Sequence, residues 1–168
     1  MKLPPPRSIR FGVVLVFLLG LSGSLHAAGD NSLDFLIGEW DIFNATGKPT
    51  GTAKVEAVLP GAALTEVRRS MDGSELKFWY FYSETDRAWK NIFAGPTGAM
   101  RELLTKEKLP DGSVRMLGRF PNPNGTVSQS RFTYYKLPDG SVRRHLEVSD
   151  DDGATWKTIV DATYRKKP

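Results

Sequence analysis

From Asp34 onward the chain is a succession of short runs rich in Val, Ile, Phe, Tyr, Trp and Thr, broken roughly every 8–14 residues by Gly, Pro, Asn or Asp. This punctuation most constrains the fold. The runs are too short for a bundle of helices, and none carries apolar residues at helical spacing. It predicts ten strands: Ile37–Phe43, Thr52–Leu59, Ala63–Ser70, Glu75–Tyr82, Ala88–Ala94, Met100–Glu107, Val114–Phe120, Ser128–Leu137, Val142–Val148 and Trp156–Tyr164. Only Leu33–Leu36 is expected to form a helical turn, ahead of the first strand. Leu109-Pro110-Asp111-Gly112-Ser113-Val114-Arg115 recurs as Leu137-Pro138-Asp139-Gly140-Ser141-Val142-Arg143, and Asp-Gly between strands is a hairpin signal. An open meander of this size would leave exposed edges, which closure removes. The expected fold is therefore all-β, an antiparallel up-and-down barrel of about 8–10 strands, with a β-sandwich as the alternative.

Ahead of this region stand Lys2, Arg7 and Arg10, an apolar run from Phe11 to Leu19, and small residues at Ala27 and Ala28. That is the three-part plan of a secretory signal peptide over residues 1–27, with 28–168 as a single domain. The run is shorter than the roughly 20 residues of a membrane-spanning helix, which favours cleavage over a retained anchor. The expected location is the periplasm or the outside medium. With the leader's three basic residues removed from the 23, 20 remain against 19 acidic ones, so nucleic acid loses its support as a partner. The absence of cysteine excludes disulfides, thiolate metal sites and lipidation on Cys.

The mature chain opens on Gly38-Glu39-Trp40 and closes on Ala162-Thr163-Tyr164-Arg165. A Gly-x-Trp on the first strand with a late Arg resembles the calycin group, which includes lipocalins and fatty-acid-binding proteins, and is similar to exported bacterial calycin-like proteins. The resemblance implies a barrel closed at one end by Gly38 and Trp40, with Arg165 packed on the indole, and an interior able to hold one small ligand. The chain lacks the cysteines and the C-terminal helix of typical lipocalins. A second resemblance lies in Ser149-Asp150-Asp151-Asp152-Gly153-Ala154-Thr155-Trp156, which fits the Asp-box pattern through Ser149, Asp151, Gly153, Thr155 and Trp156. It implies a hairpin whose Asp accepts backbone N–H groups over a packed Trp. A single copy in a domain of this length excludes the sialidase propeller. The three adjacent Asp residues lack the terminal Glu of a Ca²⁺ loop, so no metal is expected.

Phe78-Trp79-Tyr80-Phe81-Tyr82 is followed by Trp89 and Phe93 on the next strand, and both faces of the first run are aromatic. Lys77 and Lys90 mark plausible outward positions, and parity then turns Phe78, Tyr80, Tyr82, Trp89, Asn91 and Phe93 inward, as core or as the wall of a ligand cavity. Arg101, Arg115, Arg119, Arg131, Arg143 and Arg144 lie on middle and late strands. Inward members of this set would suit a carboxylate or phosphate head, as in the fatty-acid-binding barrels they resemble, and Arg131 with Arg143 is the pair singled out.

Outside the leader His145 is the only histidine. It shares a face with Arg143 and Glu147, and haem ligation through it is the alternative to having no cofactor. No catalytic residue is assigned. The expected function is non-enzymatic binding of a small, partly apolar or amphipathic molecule inside the barrel. Two alternatives are an interaction module with a filled interior, and a cavity hydrolase or isomerase drawing on His145, Glu102 or Glu147.

Overall fold

The computed structural model describes residues 29–94, 100–122 and 124–168, so the expected leader lies outside the described residues. A 3-10 helix (Asn31–Leu36) precedes ten strands: β1 (Gly38–Asn44), β2 (Pro49–Leu59), β3 (Ala63–Ser70), β4 (Glu75–Ser83), β5 (Ala88–Ala94), β6 (Met100–Lys108), β7 (Val114–Pro121), β8 (Val127–Lys136), β9 (Val142–Ser149) and β10 (Lys157–Lys166). Every strand pairs antiparallel with its neighbours in sequence, and β1 pairs with β10, from Trp40 opposite Lys166 to Asn44 opposite Ala162. The sheet is a closed up-and-down barrel, not a sandwich.

Five of the connections are built alike. In the loops 44–48, 70–74, 109–113, 122–126 and 137–141 the first residue's N–H donates to the last residue's carbonyl, and a glycine N–H donates back to the first residue's carbonyl. The glycines concerned, Gly47, Gly73, Gly112, Gly125 and Gly140, all have φ between 80° and 83°. That left-handed conformation ends a three-residue hairpin loop and is costly for a residue with a Cβ. In four of these loops the residue before glycine (Asp72, Asp111, Asn124 or Asp139) accepts the backbone N–H two residues on, at 2.9–3.1 Å. The repeated Leu-Pro-Asp-Gly-Ser segments are two copies of this turn.

Register shifts mark bulges, among them Ala57/Leu59 in β2 and Thr158/Val160 in β10. The extra residues, Val58 and Ile159, are among the most exposed large apolar side chains of the protein. A bulge interrupts the inside-outside alternation and sharpens the local twist, which a small closed sheet requires.

The helix plugs one end of the barrel. Leu33 and Leu36 are buried in the core with Trp40, Trp89, Val114, Met116 and Val142. Both indoles are tied to it: Trp40 Nε1 donates to the Leu36 carbonyl at 2.8 Å, and Trp89 Nε1 to the Asp30 carbonyl at 3.1 Å. A buried indole N–H needs such a partner, so the helix supplies acceptors as well as apolar cover. The opposite half of the barrel is filled differently.

Candidate functional site

Alternation along β3 turns Leu64, Glu66 and Arg68 inward, and Glu66 and Arg68 are 2% and 6% exposed. Arg68 Nε donates to Glu66 Oε1 at 2.6 Å. Tyr80, from β4, donates its hydroxyl to Glu66 Oε2 at 2.6 Å, and Tyr164, from β10, donates to Oε1 at 3.3 Å. Tyr134, from β8, shares a hydrogen bond of 2.5 Å with the Tyr80 hydroxyl. One carboxylate thus gathers donors from three strands, which is how a buried charge is made tolerable. Burial is the main cause that pushes the phenols of Tyr80, Tyr134 and Tyr164 well above the usual tyrosine range, and the Glu66 charge adds to it. At Arg68 burial opposes the charge, yet Glu66 and the surrounding phenols hold the guanidinium more firmly protonated than usual.

A second guanidinium enters from β9. Arg144 is 9% exposed and lies over the rings of Phe132, at 4.4 Å to the centroid, and Phe78, at 5.1 Å. Arg68 lies over Phe78 at 4.2 Å and Tyr164 at 5.4 Å. Arg144 Nε and Arg68 Nη2 are buried donors with no hydrogen-bond partner. Both arginines line a cavity of about 200 Å³ in the half of the barrel away from the helix, walled by Leu76, Phe78, Phe93, Leu103, Phe132 and Leu146, with Asn91 and Ser130 as its other polar groups. A second space of about 160 Å³, toward β1, β2 and β10, shares Arg68, Leu76, Arg144 and Val160 with the first. The two cations therefore stand between two small voids.

The aromatic residues singled out in the sequence fall on the inner face: Phe78, Tyr80 and Trp89 are buried, and Tyr82 and Phe93 are packed against the core, whereas Phe81 is 45% exposed. Of these, Phe78 and Phe93 line the cavity, stacked with centroids 5.5 Å apart, while Tyr82 and Trp89 pack edge to face. Arg131 and Arg143 are placed away from it. Both point outward and are held by bidentate pairs, Arg131 with Glu147 at 2.5 and 2.8 Å and Arg143 with Asp161 at 2.8 and 2.7 Å. Parity explains the correction: Ser130, Phe132 and Arg144 are the inward neighbours. His145 is also on the outer face, its Nε2 3.1 Å from Thr158 Oγ1 and its Nδ1 3.6 Å from Glu147, so it does not enter the cavity. Glu102 is exposed on the outer face.

At the plugged end Trp40 is buried, and Gly38, with φ 143°, leaves room for the Lys166 side chain. Arg165 does not pack on Trp40. It pairs in register with Asp41, an outward position, and stacks on Phe43 at 4.5 Å. The indole is covered by Tyr164, edge-on with centroids 6.4 Å apart, and by the Lys166 ammonium 5.9 Å above the ring.

In the β9–β10 hairpin Asp151 accepts from the Thr155 N–H at 2.8 Å, the Thr155 hydroxyl and the Ser149 hydroxyl. These bonds, those to Thr155 foremost, bring its carboxyl down to about 2. The Gly153 N–H donates to Ser149 Oγ, and Trp156 Nε1 to the Gly153 carbonyl. Trp156 is covered by the Arg131 guanidinium at 4.2 Å. No group of three or more metal-ligating side chains occurs among the described residues.

Fold and site together define a ten-stranded antiparallel barrel with one plugged end and a charged, aromatic-walled cavity in the other half. No protein-family model matches the chain, and no curated protein matches it.

Proposed function

We propose that this is an exported, calycin-like barrel that binds a small, partly apolar molecule in its interior and performs no chemistry on it. The observation that carries this reading is the cavity of about 200 Å³, whose wall is mostly aromatic and aliphatic with a few polar groups converging on it. Small-molecule sites have this composition. The basic, apolar and small-residue segments of the first 27 residues support export. The closed up-and-down topology and the Gly38-x-Trp40 opening support the calycin assignment.

Native mass spectrometry on protein purified from its own host without denaturation tests the reading. An adduct lost on unfolding is the expected result. A clean apo mass, together with no thermal shift across a panel of small apolar and amphipathic compounds, would overturn it.

A further inference from the structure

The outside of the barrel has two unlike sides. Outward positions of a closed sheet with a filled interior face water and are expected to be polar. On β8, β9 and β10 the bidentate pairs Arg131–Glu147 and Arg143–Asp161 lie there, with His145 between them. On β4–β7 the outward positions are different. Phe81, Lys90, Leu104 and Leu117 stand in direct register across these four strands, and Trp79, Ile92 and Glu102 make the next row. Phe81 and Leu117 are 45% and 38% exposed, and Trp79, Ile92 and Leu104 are half-buried. These five side chains, neighbours along and across the strands, form one apolar outer patch. Such a patch, with two aromatic residues in it, has the composition of a protein contact and not of a solvated sheet.

The patch carries its own complement in shape and in charge. At one side Phe81 is a projecting ring. At the other, Leu104, Leu117, Arg119 and Gln129 border a shallow groove of about 340 Å³, lined also by Gly118 and Ser130. Asp152 holds both Arg119 and Gln129, which fixes the far rim. Ring and groove lie three strand spacings apart, about 14 Å. Between them Lys90 stands 2.9 Å from Asp86 and 3.6 Å from Glu102. Charges of both signs on one face match neither an anionic lipid surface nor a uniformly basic peptide, and they do match an identical face turned over. We infer that the partner of this face is a second copy of the chain, related by a two-fold axis that runs along the strands between β5 and β6. That axis sets β4 of each copy over β7 of the other. Phe81 then enters the groove beside Leu117 of the partner subunit, and Lys90 reaches Glu102 of the partner subunit, each contact occurring twice. The dimer is independent of what fills the cavity.

The test is analytical ultracentrifugation of the protein as purified from its own host, from about 5 to about 500 µM. A face four strands wide is smaller than the roughly 800 Å² per partner of a standard interface, so the expected dimer is weak, with a dissociation constant on the order of 10–100 µM. Phe81→Arg and, separately, Leu117→Arg should each weaken it at least tenfold while the urea midpoint stays where it was. Lys90→Glu and Glu102→Lys each set like charges against one another across the axis and should weaken it as well. An equal mixture of those two variants should dimerise as the unmodified protein does, because every charge then meets its opposite. Recovery on mixing is a signature of a two-fold contact between copies. A monomer at every concentration would overturn the inference, and that result needs no variant, so a folding defect cannot shield it. A dimer indifferent to Phe81→Arg and Leu117→Arg would overturn the face, and absence of recovery in the mixture would overturn the axis. A monomer that instead sediments with phosphatidylglycerol vesicles would overturn the second copy and give the face to lipid.

Discussion

At the scale of single residues, Glu66 and Arg144 are opposite cases of one rule. Removing one partner of a buried ion pair strands the other, while replacing an unpaired buried charge with an apolar group of similar volume relieves a penalty. Glu66→Gln should therefore destabilise the ligand-free protein by about 3–5 kcal/mol, whereas Arg144→Met should raise its stability by about 1–2 kcal/mol. Urea unfolding of the two variants checks both signs at once. The three phenols around Glu66 make a further prediction. Their folded-state values lie above the ordinary one, so the folded protein holds protons that the unfolded chain releases. Stability should be full below about pH 10 and then fall by up to about 1.4 kcal/mol per pH unit for each of these tyrosines. Urea melts between pH 8 and 11 measure the slope, and phenolate absorbance should show Tyr80, Tyr134 and Tyr164 ionising only as the barrel opens.

At the scale of elements, the hairpins carry their own instructions. Gly140 has φ 80° and open space for 4 Å around the point where a Cβ would stand, so the penalty of a substitution there is conformational and not steric. Gly140→Ala should lower stability by about 1 kcal/mol and Gly140→Asn by less, since Asn tolerates left-handed backbone, as urea midpoints would show. In the β9–β10 hairpin Asp151 has its carboxyl lowered by Thr155 and Ser149. Its contribution is full above the unfolded carboxylate value and lost as pH falls toward about 2. Asp151→Asn should accordingly flatten that part of the acid unfolding profile, read by thermal melts from pH 5 to 2. Turn chemistry is also why the strands could be read from the sequence: Gly, Asn and Asp mark each reversal locally, whatever the remainder of the fold does. The interior charges lack such a mark. On β3 both faces mix polar and apolar residues, Leu64, Glu66 and Arg68 on one and Thr65, Val67 and Arg69 on the other, so only closure of the sheet decides which is inside. Arg144 did leave a signal, because it interrupts the apolar series Val142, Leu146 and Val148. Arg143 sits one position off that inner series and Arg131 one position off the inward Ser130 and Phe132 of β8, and a one-residue change of parity exchanges the faces of a strand.

At the scale of the whole molecule, closure makes the two ends of the chain mutually dependent. β10 is the only partner of one edge of β1, and the pair spans Trp40–Lys166 to Asn44–Ala162. Ending the chain after Thr155 would bare the edges of β1 and β9 together, and the expected outcome is loss of cooperative unfolding with aggregation, visible in scattering and in a melt without a sharp transition. The same closure explains why the location of the cavity was beyond reach from sequence. A space lined from β3, β4, β5, β6, β8, β9 and β10 exists only once strands far apart in the chain face each other, and most of its wall is made of apolar residues that are ordinary in a core.

The start of the helix and the end of β10 both lie at the plugged end: Asp30 donates its N–H to the Gly61 carbonyl beside the helix, and Lys167 donates to the carbonyl of Glu39, the residue before Trp40. Both ends of the described chain therefore leave the barrel on the side opposite the arginine-lined cavity. The molecule has in effect a handle and a bowl. Whether fused to another domain, tethered to a surface or held by an affinity tag at either terminus, it would be gripped by the handle, with its cavity end turned toward whatever the surroundings supply.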